Sequence, residues 1–435
     1  LEIEISSNLS FKLEITINKL IAKNMIESVK TLSTPLSRLT LLDALRGFSL
    51  LGVILMHMLQ QFSIQTPPDA RIPLFPEFED TMQWIGRNVI MGRFINIFAF
   101  LFGLSFFIQM NRAAKKGVDF RRKFIWRMIV MLVIGLIGNC FYRGEIISLY
   151  AIFGIILALL YRLNSGVLIC LAFVLLLGTP RIIQVTHTTF YKTEQSESPQ
   201  QAAAQSKISN PPTVTKPSFV NSVKYNFTEG LTGKLNYQFG FFGRGYITFA
   251  LFILGLVIGR TRFFEHQQSN KVLAMYFISF SVFAILIISI ISILPVLNFR
   301  KLIASDPENI WSGLTVMTLN DLKIVIISGA ITTGFALLYQ NRLFTKYLDV
   351  FSSYGRMGLT NYQMQGLIGC LLFSAWAFGP TFQTLGLTEL FLLGIVIYIL
   401  QLIFSNFWLK KYLYGPLEWV LRSATYLKSQ PFRKK

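Results

Sequence analysis

Apolar runs of bilayer length recur along almost the whole chain, and they constrain its fold more than any other feature. A run of ~20 mostly apolar residues reads as a membrane-crossing helix, because lipid offers no partner to an unpaired backbone N–H or C=O. By that criterion spans are expected at 41–60, 84–110, 124–142, 146–161, 166–184, 245–260, 271–296, 322–340, 360–379 and 388–409. The run 146–161 is short, and 84–92 reads as an interfacial lead-in. Composition agrees, with 53% of residues apolar, 14% charged and 40 phenylalanines. The expected fold class is an all-α integral membrane protein with about ten transmembrane helices and both termini cytoplasmic.

Basic residues set the expected orientation. Arg112, Lys115, Lys116, Arg121, Arg122 and Lys123 form the densest cluster, which places the loop after the second span inside. Alternation then puts Arg260 and Arg262, Arg342 and Lys346, and the basic tail inside as well. The net charge of +20 follows from such loops and is no argument for nucleic acid. The organisation expected is a cytoplasmic tail (1–40), a first helical half (41–184), a long outer loop (185–244), a second helical half (245–409) and a basic cytoplasmic tail (410–435).

Residues 1–40 lack a continuous apolar region, so no cleavable signal peptide is expected. The chain opens with Leu1, and Met25 precedes a short tail, which suggests a start assigned too far upstream. In the long loop, Thr193 to Pro217 is rich in Gln, Ser, Pro and Ala and reads as disordered. Phe219 to Phe242 mixes aromatic and polar residues and reads as a surface-lying amphipathic piece. Cys140, Cys170 and Cys370 sit in apolar runs and suggest neither a disulfide framework nor a metal site. Gly255-x-x-x-Gly259 suits close helix packing, and His187 and His266 read as single loop residues.

The first span holds the least expected side chains. Between Leu41 and Met58 it contains Asp43, Arg46 and His57, and ionisable groups at membrane depth are functional hypotheses by default. Arg46 and His57 are eleven residues apart, which at ~100° per residue puts them on one helix face, ~16 Å apart along the axis. Simpler readings exist for each. Thr40 and Asp43 have capping-box spacing, Arg46 can snorkel to the interface, and a His near the outer end can be partly hydrated.

Leu42-Asp43-Ala44-Leu45-Arg46-Gly47-Phe48-Ser49-Leu50-Leu51-Gly52-Val53 resembles the first helix of the YeiB-like membrane proteins (domain of unknown function 418). Gly92-Arg93-Phe94, Ile97 to Gly103 and Tyr150 to Gly154 resemble the helices that follow. So do Gly355 to Gln365, Gly415-Pro416-Leu417-Glu418-Trp419, Arg422 and Thr425-Tyr426. That family in turn resembles the transmembrane acyltransferases, which include acyltransferase-3 enzymes and the lysosomal heparan glucosaminide N-acetyltransferase. Arg46 and His57 match the acyltransferase-3 pattern of Arg, ten residues, His, whereas many YeiB-like chains carry Asn at the second position. The resemblance implies transfer of an acyl group from a cytoplasmic acyl-CoA to a sugar hydroxyl or amine across the membrane.

Residue roles follow from that expectation. A hydroxyl or amine nucleophile needs a base near neutral pH, and the imidazole of His57 suits it. Glu145, on the same outer side, would orient that imidazole, unless it merely occupies an exposed turn beside Arg143. Arg93 would stabilise an oxyanion or bind an acidic acceptor, unless it forms an internal ion pair. On the inner side, Arg46 approaches the level of Arg356, Asn361 and Gln365. The last two are spaced i, i+4 and share a helix face. They would line a slot for the donor's pantetheine arm, with Arg422 or the 112–123 cluster on its phosphates, unless they only cross-link helices.

The expected protein is thus a multi-pass acyltransferase of the bacterial inner (cytoplasmic) membrane. It would use acetyl-CoA as co-substrate, with no metal, and an envelope saccharide or lipid-linked acceptor. Its partners would be the lipid bilayer and that acceptor, with no nucleic acid, and the oligomeric state stays open. The alternative is a transporter or exporter of a small solute without covalent chemistry, since buried Arg, His, Asn and Gln also serve a carrier.

Overall fold

The protein, a computed structural model, is described over residues 35–62, 71–191, 216–264, 269–293 and 307–434. Residues 1–34, Pro67 and Pro68, the polar stretch 192–215 and His266 lie outside the described residues. Among the described residues the regular elements are all helical. Helix α1 (Pro35–Met56) passes into a π-helical turn (His57–Phe62). A short α2 (Glu79–Ile85) and a second π-turn (Gly86–Ile90) lead into α3 (Arg93–Ala114). There follow α4 (Arg121–Phe141), α5 (Ile147–Leu160), α6 (Ser165–Leu176) and α7 (Thr179–Tyr191). Two short helices, α8 (Phe219–Phe227) and α9 (Glu229–Phe239), precede α10 (Arg244–Arg260), α11 (Asn270–Ile293) and α12 (Pro307–Gln340). The chain closes with α13 (Arg342–Leu348), α14 (Val350–Arg356), α15 (Gly358–Phe373), α16 (Gly379–Phe382), α17 (Leu387–Lys411) and α18 (Pro416–Tyr426).

Among the described residues six helical stretches are long and apolar enough to cross a membrane: Thr40–Gln60, Pro76–Ala114, Arg121–Phe141, Asn270–Ile293, Gly313–Gln340 and Leu387–Lys411. Two bent pairs raise the number to eight if each is one span: Ser165–Leu176 with Thr179–His187, at 50°, and Phe219–Phe239 with Arg244–Arg260, at 59°. Helix α5 is apolar but shorter. This is the pattern of a multi-pass helical membrane protein. Two local expectations change. Residues 35–40 are helical, so Thr40 and Asp43 lie inside α1 and cannot form its capping box, and Asp43 pairs with Arg46 instead. His187 is on a helix and not in a loop.

From Thr40 onward α1 is mostly buried, while α11 is mostly exposed. Leu50, Val53 and Ile54 of α1 and Met58 of the π-turn join one core with Phe106, Phe124, Tyr150, Phe252 and Tyr398 from five other helices. Glycines set the closest crossings, since only a residue without Cβ lets two helix backbones touch. A Cβ at Gly355 of α14 would overlap the carbonyl oxygen of Asp43, and one at Gly47 would overlap that of Phe351. In the same way Gly103 of α3 lies on the carbonyl of Phe252, and Gly255 of α10 on that of Phe100.

Helix N-termini carry unpaired N–H groups and a partial positive charge, and here carboxylates satisfy them. Glu418 of α18 accepts from Leu359 N–H (2.7 Å) and Thr360 N–H (3.0 Å) at the start of α15. Glu79 accepts from Leu387 N–H (3.0 Å) and Thr388 N–H (3.1 Å) of α17, and Glu389 of α17 accepts in return from Leu74 N–H (2.6 Å) and Phe75 N–H (3.1 Å). At the other polarity, Arg260 donates to the carbonyls of Tyr161 and Leu163 just past α5.

Candidate functional site

His57 opens the π-turn at the end of α1. Such widened turns displace side chains from ordinary helical positions and recur at functional sites. The residue is 3% exposed, and its Nδ1 is buried without a hydrogen-bond partner. Three rings meet it edge-on or nearly so: Tyr142 at 5.0 Å, Phe62 at 5.9 Å and Tyr362 at 6.0 Å between centroids. Phe62 in turn stacks on Phe373 at 5.0 Å. The imidazole therefore sits in an aromatic box closed by α15 and the end of α4.

Glu145 lies just behind that box. Its carboxylate caps α5, accepting from the backbone N–H of Ile147 and from that of Ser148 (3.1 Å). Lys234 of α9 stands 3.6 Å from its second oxygen and donates to Ser148 Oγ at 3.1 Å. Burial pushes the Glu145 carboxyl up from its ordinary value, against the opposing charge of Lys234 and the hydrogen bonds at Ser148 and Ile147. Glu145 is thus buried and not in an exposed turn. Its hydrogen bonds go to the helix start and not to His57. The link between the two is Tyr362, whose hydroxyl accepts from Ile146 N–H at 3.1 Å while its ring borders the imidazole.

Asn361 and Gln365 share one face of α15 and enter a buried network. Asn361 Nδ2 donates to Ser405 Oγ (2.9 Å) and to the carbonyl of Tyr354 (3.1 Å). Gln365 Nε2 donates to Tyr354 Oη (3.0 Å), which donates to Gln401 Oε1 (2.6 Å). Gln365 Nε2 also lies 3.4 Å from the carbonyl of Leu50 in α1. The network cross-links α1, α14, α15 and α17, and it leaves Gln365 Oε1 buried without a donor.

The cationic residues expected to hold the donor are spread more widely. Arg46 is a quarter exposed, pairs with Asp43 at 2.6 Å and donates to Ser105 Oγ of α3 at 2.9 Å. Arg356 is exposed at the end of α14. Arg422 lies over the rings of Tyr414 (4.9 Å) and Tyr426 (5.6 Å), with its Nε buried and unpartnered.

Arg93 belongs to another group. It is 2% exposed, and its Nη1 donates to the carbonyls of Arg87 and Met91, both at 2.8 Å, in place of an ion pair. Around it stand Arg244, Arg181 and Asp321, which sequence reasoning passed over. Arg181 pairs with Asp321 at 3.0 Å and Arg244 with the same carboxylate at 3.7 Å, while Arg244 also donates to Asn96 Oδ1 at 3.1 Å. A signal for Arg244 was present, because Gly243-Arg244 repeats the Gly92-Arg93 that opens α3.

With this geometry in view, the family model described as "Protein of unknown function (DUF418)" matches residues 258–428. Over a longer stretch, the chain is 27% identical across 409 residues to an uncharacterized 39.9 kDa protein in the amylase 3' region of Bacillus acidopullulyticus, covering 91% of this chain and 95% of that one. It is likewise similar to the uncharacterized protein YxaH of Bacillus subtilis (strain 168), at 26% identity over 432 residues, 92% of this chain and 96% of the relative.

Proposed function

We propose that this protein is a transmembrane acyltransferase of the bacterial cytoplasmic (inner) membrane, with ten spans and both termini inside. The observation that carries the reading is His57: a buried imidazole in a π-turn, with Nδ1 unpartnered, boxed by aromatic rings beside the Glu145 turn. An unpartnered ring nitrogen is left open to a hydrogen bond from an acceptor hydroxyl or amine, which a structural histidine tied into hydrogen bonds is not.

In this reading His57 removes the proton from an acceptor hydroxyl or amine belonging to an envelope saccharide or lipid-linked sugar. The freed oxygen or nitrogen attacks the thioester carbonyl of acetyl-CoA. The C–S bond breaks, and the leaving thiolate takes the proton back from the imidazolium. Glu145 keeps the turn carrying Tyr362's partner in place, so it positions the base through Tyr362. Arg46, Arg356 and Arg422 hold the donor's phosphates at the inner end. Asn361 and Gln365 line its route, and Gln365 Oε1 is an acceptor suited to a pantetheine amide N–H. Arg93 serves the acidic part of the acceptor.

The test incubates purified protein with radiolabelled acetyl-CoA and envelope extract, comparing wild type with His57→Ala. The reading expects label in a saccharide or lipid fraction, stoichiometric CoA release, and loss of both in the variant. Absence of CoA release from wild type, or equal labelling by both proteins, overturns it.

A further inference from the structure

The buried cationic group around Arg93 extends beyond the acceptor contact proposed for Arg93 above. Helices α3 and α10 run parallel and touch along their length, Gly103 against Phe252 and Gly259 against Phe107. Their N-termini therefore lie side by side. Both open in the same way, with a left-handed glycine (Gly92, φ +77°; Gly243, φ +59°) followed at once by an arginine. Parallel helix dipoles with adjoining positive ends repel each other, and each end attracts an anion.

The side chains add to that field. Arg93 and Arg244 are close enough for their charges to oppose each other, and Lys323 of α12 feels the charge of Arg93. Arg181 is the fourth cation. Among the described residues the ion pairs of this group involve one carboxylate, Asp321, shared by Arg181 and Arg244. Four donors in the group are buried without a hydrogen-bond partner: Arg93 Nε, Arg181 Nε, Asn96 Nδ2 and Arg244 Nη1, the last 3.7 Å from Asp321. The direction of Asn96 is set, because its Oδ1 accepts from Arg244 and its amino group must then face the other way, on the first turn of α3. Buried polar atoms are normally satisfied, so those left over ask for a partner. Here every unsatisfied atom is a donor and the cations outnumber Asp321, so the arrangement suits an acceptor with negative charge.

We infer that the paired N-termini of α3 and α10, with Arg93, Asn96, Arg244 and Lys323, form a binding site for a phosphate or diphosphate group. Guanidinium forks match phosphate oxygens two at a time, and a multiply charged anion offsets the excess of cations over Asp321. The phosphate comes either from a lipid head group or from a free ion. The inference does not rest on the acyl-transfer reading, since occupancy is measured without turnover.

The test follows thermal unfolding of the purified full chain in nanodiscs of phosphatidylcholine. One arm titrates inorganic phosphate and sodium diphosphate against sodium chloride at matched ionic strength. A second arm replaces part of the phosphatidylcholine with phosphatidylglycerol. A rise in midpoint with the soluble anions identifies a free-phosphate site, and a rise with phosphatidylglycerol alone identifies a lipid head-group site. In either case Asn96→Asp abolishes the rise, and Lys323→Gln, at a half-buried position, weakens half-saturation about tenfold. Asp321→Asn enlarges the rise measured from its own baseline. Absence of any shift in wild type beyond the chloride control overturns the site, as does a shift that Lys323→Gln and Asp321→Asn both leave unchanged.

Discussion

Glu418 holds Thr360 twice, taking its backbone N–H at 3.0 Å and its hydroxyl at 2.5 Å across fifty-eight residues of chain. The contact ties the C-terminal α18 to the start of α15, and hence to the helix that carries Asn361, Tyr362 and Gln365. Losing the carboxylate leaves three donors at a helix start without their acceptor. Glu418→Ala is expected to lower stability by about 1–3 kcal/mol, with Glu418→Gln less damaging, as read from thermal or denaturant unfolding in detergent.

The same residue predicts a pH dependence. Burial pushes the Glu418 carboxyl up, against the hydrogen bonds from Thr360 and Leu359. The folded protein therefore binds this proton more tightly than the unfolded chain. Its contribution to stability is fully present below the ordinary glutamate value of about 4.3 and is lost as the pH rises through the raised value. The stability difference between wild type and Glu418→Gln should fall across that interval and then level off. A flat difference profile would contradict the assignment.

At His57 the prediction separates chemistry from folding. His57→Ala and His57→Asn should each reduce acetyl transfer by about 100-fold or more, while Asn leaves the unfolding midpoint close to wild type. Tyr362→Phe removes the acceptor of the Ile146 N–H and should cost about 1 kcal/mol of stability, with a smaller loss of rate. Parallel kinetic and unfolding measurements on the three variants decide the matter.

Arg46, in the first half of α1, is held by Asp43 and Ser105. Arg46→Gln should raise KM for acetyl-CoA more than it lowers kcat, the mark of lost donor binding. Asp43→Asn, which breaks a pair exposed by about a quarter, should cost no more than ~1 kcal/mol in stability. An unchanged KM in Arg46→Gln would remove the residue from the donor site.

Two glycines give opposite forecasts. Gly355→Ala forces a methyl into the carbonyl oxygen of Asp43, so α14 must back away from α1, at a cost of about 1–3 kcal/mol or more. Gly233, inside α9, has open space where a Cβ would stand, and Gly233→Ala should stabilise by about 0.5–1 kcal/mol. Unfolding midpoints of the two variants should move in opposite directions.

How much of this was legible beforehand depends on the range of the interaction. The apolar runs announce helices because hydropathy is a local property, and the i, i+4 spacing of Asn361 and Gln365 places them on one face of α15. The capping box proposed for Thr40 and Asp43 failed for a local reason as well: α1 begins five residues earlier, at Pro35. Long-range pairings were silent. Nothing near Glu79 or Glu418 in sequence names Thr388 or Thr360 as its partner. Asp321 escaped notice because it falls at the edge of an expected span, where an acid reads as a solvated end. Only the fold shows it receiving two arginines from α7 and α10.

The exchange of caps between Glu79 and Glu389 has a mechanical consequence. Each carboxylate belongs to the segment whose partner it secures, so neither strand of the clasp can slide without stripping both of acceptors. The approach to α2, near the start of the described chain, and α17, near its close, thus travel as one piece. A nick anywhere between them should leave the two fragments stitched together at this seam.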